Sequence, residues 1–184
     1  MSAWVALVHH PVLDRAGDVI TTAVTNLDVH DIARSARTYD VAGYFVVTPI
    51  EAQRRLVERI LSHWRDGSGA RRVPERTEAL ARCEVVDTVD DAIAAIEERA
   101  GQAPSLIATT ARSGRPMASY GEVAASIAQR PGLILFGTGH GLAPGVLDRV
   151  DHVLKPIQPD ASYNHLSVRA AAAITLDRLF GATD

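Results

Sequence analysis

The chain has 184 residues, 47% hydrophobic and 22% charged, with a formal net charge of −3. That suits a single domain over 1–184 with a sizeable core, and excludes a chain that coats nucleic acid indiscriminately. Its one cysteine, Cys83, excludes an internal disulfide and a thiolate metal cluster.

No apolar run approaches the roughly 20 residues of a membrane span. The N-terminus lacks the basic start and cleavage site of a signal peptide, so a cytoplasmic protein is expected.

Strand-like and helix-like runs alternate along the chain. "WVALVHH" is a short apolar run, followed by a turn at "DRAGD" and an extended "VITTAVT". "LDVHDIARSARTYD" reads as a helix with Asp28 as N-cap and Ile32, Ala33 and Ala36 on one face. "GYFVVT" is a buried strand. "PIEAQRRLVERILSHWR" is a helix whose apolar stripe is Ile50, Leu56, Ile60, Leu61 and Trp64.

"DGSGARRVPER", Asp66 to Arg76, reads as a loop. Then come the strand "CEVVD", the helix "TVDDAIAAIEERA", the strand "PSLIATT" and the loop "ARSGRPMAS". The helix "YGEVAASIAQR", the strand "GLILFG" and a short strand in "HVLKPI" follow. A helix beginning near Asn164 closes the chain, with Val168, Ala172, Leu176 and Leu179 on one face. This pattern predicts an α/β fold, a parallel sheet flanked by helices on both faces, with ligands at the carboxyl ends of its strands.

The segment 51–76 holds seven arginines, Arg54, Arg71 and Arg72 among them, against four acidic residues. It suits an RNA-phosphate surface and equally a solvated helix face with i,i+4 pairs.

"LFGTGHGL" places Gly137, Gly139 and Gly141 after an apolar strand, a turn that lets backbone approach a ligand closely. It is not the dinucleotide fingerprint, which wants G-x-x-G opening a long helix and an acid at a strand end. Asp160 has roughly the spacing of that acid but falls in a loop. A Walker loop is excluded, because the only lysine, Lys155, follows Leu154.

Together with "LKPI" and "YNHLSVRAAAAI", this loop resembles the last two motifs of the SPOUT superfamily of S-adenosylmethionine-dependent RNA methyltransferases. The opening "LVHHPVLDRAGDVITTAVTNLDVHDIARSARTY" resembles a small stand-alone bacterial group within it, similar to tRNA (guanine-N1) methyltransferases.

The resemblance implies a deep C-terminal trefoil knot, S-adenosyl-L-methionine as cofactor, an RNA substrate (tRNA or rRNA) and a homodimer. The apolar C-terminal helix ending "LDRLF" is a candidate dimer surface.

It implies cofactor contacts from Thr109, Thr110, Phe136, Gly137, Thr138, Gly139, Gly141, Pro156 and Tyr163. Ile157 and Leu166 would sandwich the adenine. Asn164 and His165 would touch the methionine end or the target base, unless they only cap the helix.

On the acceptor side, Asp28, Asp31 and Arg34 are candidate catalytic residues, and His30 and Arg37 candidate RNA contacts. Arginines clamp phosphate, and a carboxylate takes a proton from a ring nitrogen. The same residues also suit the wet face of a capped amphipathic helix. His140 has no assigned role, and His9 and His10 end the first strand.

No metal is expected. Two rival readings are a noncatalytic RNA-binding or cofactor-sensing module on the same fold, and a metal-dependent phosphohydrolase built on "HD" at His30-Asp31.

Overall fold

A computed structural model describes residues 2–111, 115–158 and 163–182. Asp160 and part of the loop after Thr110 lie outside them.

The strands are β1 (Ala3–Val8), β2 (Val12–Leu13), β3 (Val19–Ile20), β4 (Gly43–Val47), β5 (Cys83–Val86), β6 (Ser105–Ala108), β7 (Gly132–Gly137) and β8 (His152–Val153). The helices are α1 (Asn26–Thr38), α2 (Glu51–Arg65), α3 (Ser68–Arg72), α4 (Pro74–Leu80), α5 (Val89–Ala100), α6 (Tyr120–Gln129), α7 (Pro144–Leu147) and α8 (Val168–Phe180).

Six strands form a parallel sheet in the order β5-β4-β1-β7-β6-β8, as the alternation predicts. β1, β4 and β6 are buried from end to end. Successive β1 residues serve opposite cores. Ala3, Val5 and Leu7 pack with α1, α2, α4, α6 and α8, whereas Trp4, Ala6 and Val8 pack with α5 and α7. Cys83 is a buried apolar residue, and burial pushes its thiol far above the usual range. β2 and β3 form a small antiparallel hairpin between β1 and α1.

Several local expectations need correction. The N-cap of α1 is Thr25, whose hydroxyl accepts from Asp28 N and donates to the Asp28 carboxylate. The stretch 66–76 is not a loop but mostly the short helices α3 and α4, with Pro74 at the start of α4 and Thr77 Oγ1 donating to Trp64 O at 2.9 Å.

On α2 the buried pair is Val57 and Leu61, while Ile50 and Leu56 are both 43% exposed. The helix is rotated so that Val57, outside the expected stripe, meets the core. The β character of "HVLKPI" is confined to β8 and a bridge between Ala118 and Leu154.

α8 begins at Val168 with Ser167 as N-cap, later than expected. Its Leu176 and Leu179 are already covered by their own chain, in the core shared with α1 and α6, and so are not left over for a dimer contact.

Phe45 is fully buried in β4. Phe45→Ala is expected to cost about 3–5 kcal/mol by urea unfolding, whereas Leu56→Gln should stay within about 0.5 kcal/mol of wild type.

Candidate active site at the carboxyl ends of the strands

A cavity of about 850 Å³ opens at the carboxyl ends of β1, β6 and β7, where parallel sheets place ligands. Thr109, Thr110, Phe136, Gly137, Thr138, Gly139 and Gly141 lie on its wall, with Ile157, Asn164, His165 and Leu166 opposite them in the chain's last loop. Pro156 is buried beside Ile157, and Tyr163 is exposed, stacked edge-on against His165 at 5.2 Å. Neither belongs to the wall. Asn164 does not cap α8; its Nδ2 donates to Ala111 O at 3.1 Å, tying the last loop to the end of β6. Arg178 Nη1 donates to Ile157 O at 2.8 Å and fixes that loop to α8.

The glycine loop is shaped by the β2–β3 hairpin. Leu13 N donates to Gly141 O at 2.9 Å, and His140 N donates to Leu13 O at 2.8 Å. Thr138 N donates to Val8 O at 3.2 Å, and Gly141 N to Thr138 O at 3.0 Å. Three loop amides are therefore occupied, leaving Gly139 N without an acceptor among the described residues. A Cβ at Gly139 would fall 2.7 Å from Leu13 O, and its φ is +58°. Only glycine lets the hairpin and the loop meet here.

His9 ends β1, is 1% exposed, and lies on the cavity wall. Its tautomer follows from the surrounding donors. Thr138 Oγ1 donates to Val8 O at 3.0 Å, which uses its one proton. The Thr22 hydroxyl must then donate to Thr138 Oγ1, and so accepts from His9 Nδ1–H at 2.9 Å. Nε2 is left as a buried lone pair with no partner among the described residues. Burial lowers the His9 pKa from 6.5 to about 4, against a smaller opposing effect of Asp28, so the ring is neutral near pH 7. His10 instead serves the hairpin, bonding Thr21 Oγ1 and Ile20 O.

Asp28 is the one candidate acid on the cavity wall. It is buried, accepts from Thr25 Oγ1 at 2.6 Å, and is paired with Arg169 Nη1 at 2.8 Å. Arg169 Nε stands 3.4 Å from Asp31, which is half exposed just outside the cavity.

The sequence patterns do not single out Arg169. A signal exists nonetheless: a cation in the first turn of a helix opposes the helix dipole, which calls for a compensating anion. Asp28 and Asp31 supply it.

The other predicted contacts scatter. Arg34 is exposed on α1 with no acidic partner among the described residues. His30 lies in a second cleft with Asp31. There burial, and then the Arg76 charge, depress its pKa. Arg37 is held by Glu78 at 2.6 Å, with Asp40 at 3.5 Å. Arg54 is held by Asp87 at 3.0 Å and Pro49 O at 2.7 Å. Arg71 and Arg72 are exposed on α3. Among the described residues no three His, Cys, Asp or Glu side chains gather as a metal site, and His30-Asp31 acquires no further ligand for the phosphohydrolase reading.

A buried, neutral His9 makes stability depend on pH. Because the folded pKa lies below the unfolded value, the unfolded chain takes up a proton first as pH falls. Stability should drop between about pH 6.5 and 4, at about 1.4 kcal/mol per unit and by up to about 3 kcal/mol. His9→Asn keeps the donor to Thr22 and should flatten this part of the urea-unfolding profile.

A family model for SAM-dependent RNA methyltransferase matches residues 2–181. A tRNA (guanine-N(1)-)-methyltransferase of Nitratidesulfovibrio vulgaris is 50% identical over 176 residues, 96% of this chain and 41% of that protein. The chain thus spans well under half the length of that relative. A protein of Aquifex aeolicus is 40% identical over 181 residues, 97% of this chain and 88% of its own length. The SpoU methyltransferase AviRb from Streptomyces viridochromogenes, solved in complex with the cofactor AdoMet, superposes with a TM-score of 0.57 at 18% identity. The match covers 96% of this chain and 56% of that one, a likeness of fold. With the parallel sheet, the glycine loop and the last loop converging on one cavity, the chain belongs to the SAM-dependent RNA methyltransferase family.

Proposed function

We propose that the chain transfers a methyl group from S-adenosyl-L-methionine to RNA in the cavity at the strand ends, with a tRNA guanine N1 as the favoured acceptor. The reading rests on one observation: the glycine loop, the last loop and the buried Asp28–Arg169 pair line one cavity. The named relative of Nitratidesulfovibrio vulgaris points to the acceptor.

The residues suit the cofactor. A volume near 850 Å³ accommodates a nucleoside with an amino-acid tail. Gly139 offers a free amide, and Ile157 and Leu166 offer apolar surfaces for adenine. The cofactor supplies an activated methyl group on a sulfonium; the protein aligns the acceptor and removes its proton. Asp28 takes that proton in this reading. Arg169 and Thr25 fix its carboxylate, while Asp31 and Arg34 stand on the same helix toward solvent. His9 Nε2 accepts a hydrogen bond from the bound ligand and positions it.

The trefoil knot is proposed to be formed by the segment from β7 through α8. A homodimer, with Tyr163 and Leu166 exposed near the cavity rim, completes the site. Among the described residues no helix is long and apolar enough to cross a membrane, and a cytoplasmic setting fits an RNA substrate.

Calorimetric titration with S-adenosylhomocysteine should give binding on the order of micromolar, abolished by Gly139→Arg. No binding to a folded wild type would overturn the reading. Asp28→Asn should bind the same ligand within a few-fold, yet lose about 10²–10⁴-fold in methyl transfer to tRNA from a methyl-deficient strain. Cofactor binding without transfer to any RNA by the wild type would favour the noncatalytic module.

A further inference from the structure

A second cleft, of about 570 Å³, lies between α1, α2 and α4, and its walls are cationic. Arg59 and Arg76 both face it, and neither has an acidic partner among the described residues. The surface arginines Arg37, Arg54, Arg55, Arg82, Arg99 and Arg149 are by contrast each paired with an acid.

Arg76 is held in place rather than floating. Its guanidinium lies 5.0 Å from the Trp64 ring centre, Thr77 beside it anchors α4 to Trp64 O, and its Nε is buried without a hydrogen-bond partner among the described residues. A fixed, half-desolvated cation with unpaired donors is costly unless an anion meets it.

Trp64 is not an open stacking platform. His30 and His63 meet its ring edge-on at 5.5 and 5.4 Å, and a Cβ at Gly69 would come within 2.8 Å of it. It acts as a pillar that spaces the charged groups. His30 Nδ1 is likewise buried with no hydrogen-bond partner among the described residues.

Among the described residues Asp31 is the only acid on the cleft, and Arg169 stands 3.4 Å from it on the far side, between the cleft and the Asp28 cavity. The two hollows therefore share one wall.

We propose that this cleft is an anion subsite that takes a backbone phosphate of the RNA next to the methylated nucleotide. Arg59 and Arg76 pair with it, and His63 and His30 line the site. The assignment rests on the reading of the chain as an RNA methyltransferase and adds where its substrate chain runs. The shared wall favours RNA: a polyanion that places one nucleotide against Asp28 carries its neighbouring phosphate past Asp31.

The test uses the full chain and labelled total bacterial tRNA, with affinity measured by fluorescence anisotropy across a potassium chloride series. Removing one cation that neutralises a phosphate lowers the slope of log K against log salt by about 0.7–0.9. Arg59→Gln and Arg76→Gln should each lower the slope by about that much. Arg149→Gln, on the α5 side of the sheet, should leave it unchanged. Binding of S-adenosylhomocysteine should be the same in all four proteins, which separates this subsite from the cofactor cavity.

Unfolding scans control for the missing cation on the Trp64 ring in Arg76→Gln. If that variant fails to fold, Arg59→Gln decides alone. A wild-type slope in Arg59→Gln would overturn the proposal. So would inorganic phosphate binding that Arg59→Gln abolishes while the RNA slope stays intact, since the ligand would then be a free phosphate. Absence of S-adenosylhomocysteine binding in the wild type would instead count against the methyltransferase reading and leave the salt slopes to judge the cleft.

Discussion

Leu13 exchanges hydrogen bonds with the glycine loop in both directions: its N–H donates to Gly141 O and its carbonyl accepts from His140 N. The site depends on this exchange. A loop of three glycines has little conformational preference of its own and would wander at the end of β7. The hairpin fixes it from one side, and β1 fixes it from the other through Val8 O. Both anchors belong to the segment that carries His9 and leads into Asp28. The cavity floor and the candidate proton acceptor are thus set by one continuous stretch, whose anchoring contacts reach a loop 130 positions on from Val8.

This coupling explains how the buried polar groups are arranged. Thr22, Thr138 and His9 form a short relay in which each hydroxyl proton has one destination. Its directionality leaves the His9 lone pair, and not its N–H, without a partner among the described residues. An unpartnered acceptor inside a fold is a standing cost. It is tolerated at a wall where a ligand donor can arrive, and would be hard to account for in a core.

Much of the architecture was legible in the sequence because it rests on local periodicity. The apolar runs of β1, β4 and β7 and the alternation of strand and helix suffice for a parallel sheet. The glycine loop marked the cavity. What escaped was decided by contacts far apart in sequence. Asp28 looks like a cap, and is a cavity carboxylate because Arg169 claims it from 141 positions away. Leu56 fits a helical stripe as well as Val57 does, and only the docking of α4 and β5 against α2 chooses between them. The run 66–76 is rich in loop-forming residues, yet packing against Trp64 and Thr77 holds most of it helical. Arg37 and Arg54 group with the RNA contacts by charge alone, and their acids, Glu78 and Asp87, are distant in sequence.

Net charge conceals the same long-range pairing at larger scale. At −3 the chain has acids enough to neutralise its arginines, and eight of the described ones are held in ion pairs. Exposed pairs of this kind add little stability, so their main effect is to remove potential from those faces. Arg34, Arg59 and Arg76 are among the arginines with no acidic partner among the described residues, and these three lie on the helices around His30. Positive potential is left concentrated there, and a low-dielectric cleft focuses it. A mildly acidic protein that groups unpaired arginines beside a buried carboxylate has the electrostatics to orient a polyanion. It needs no excess of positive charge to do so.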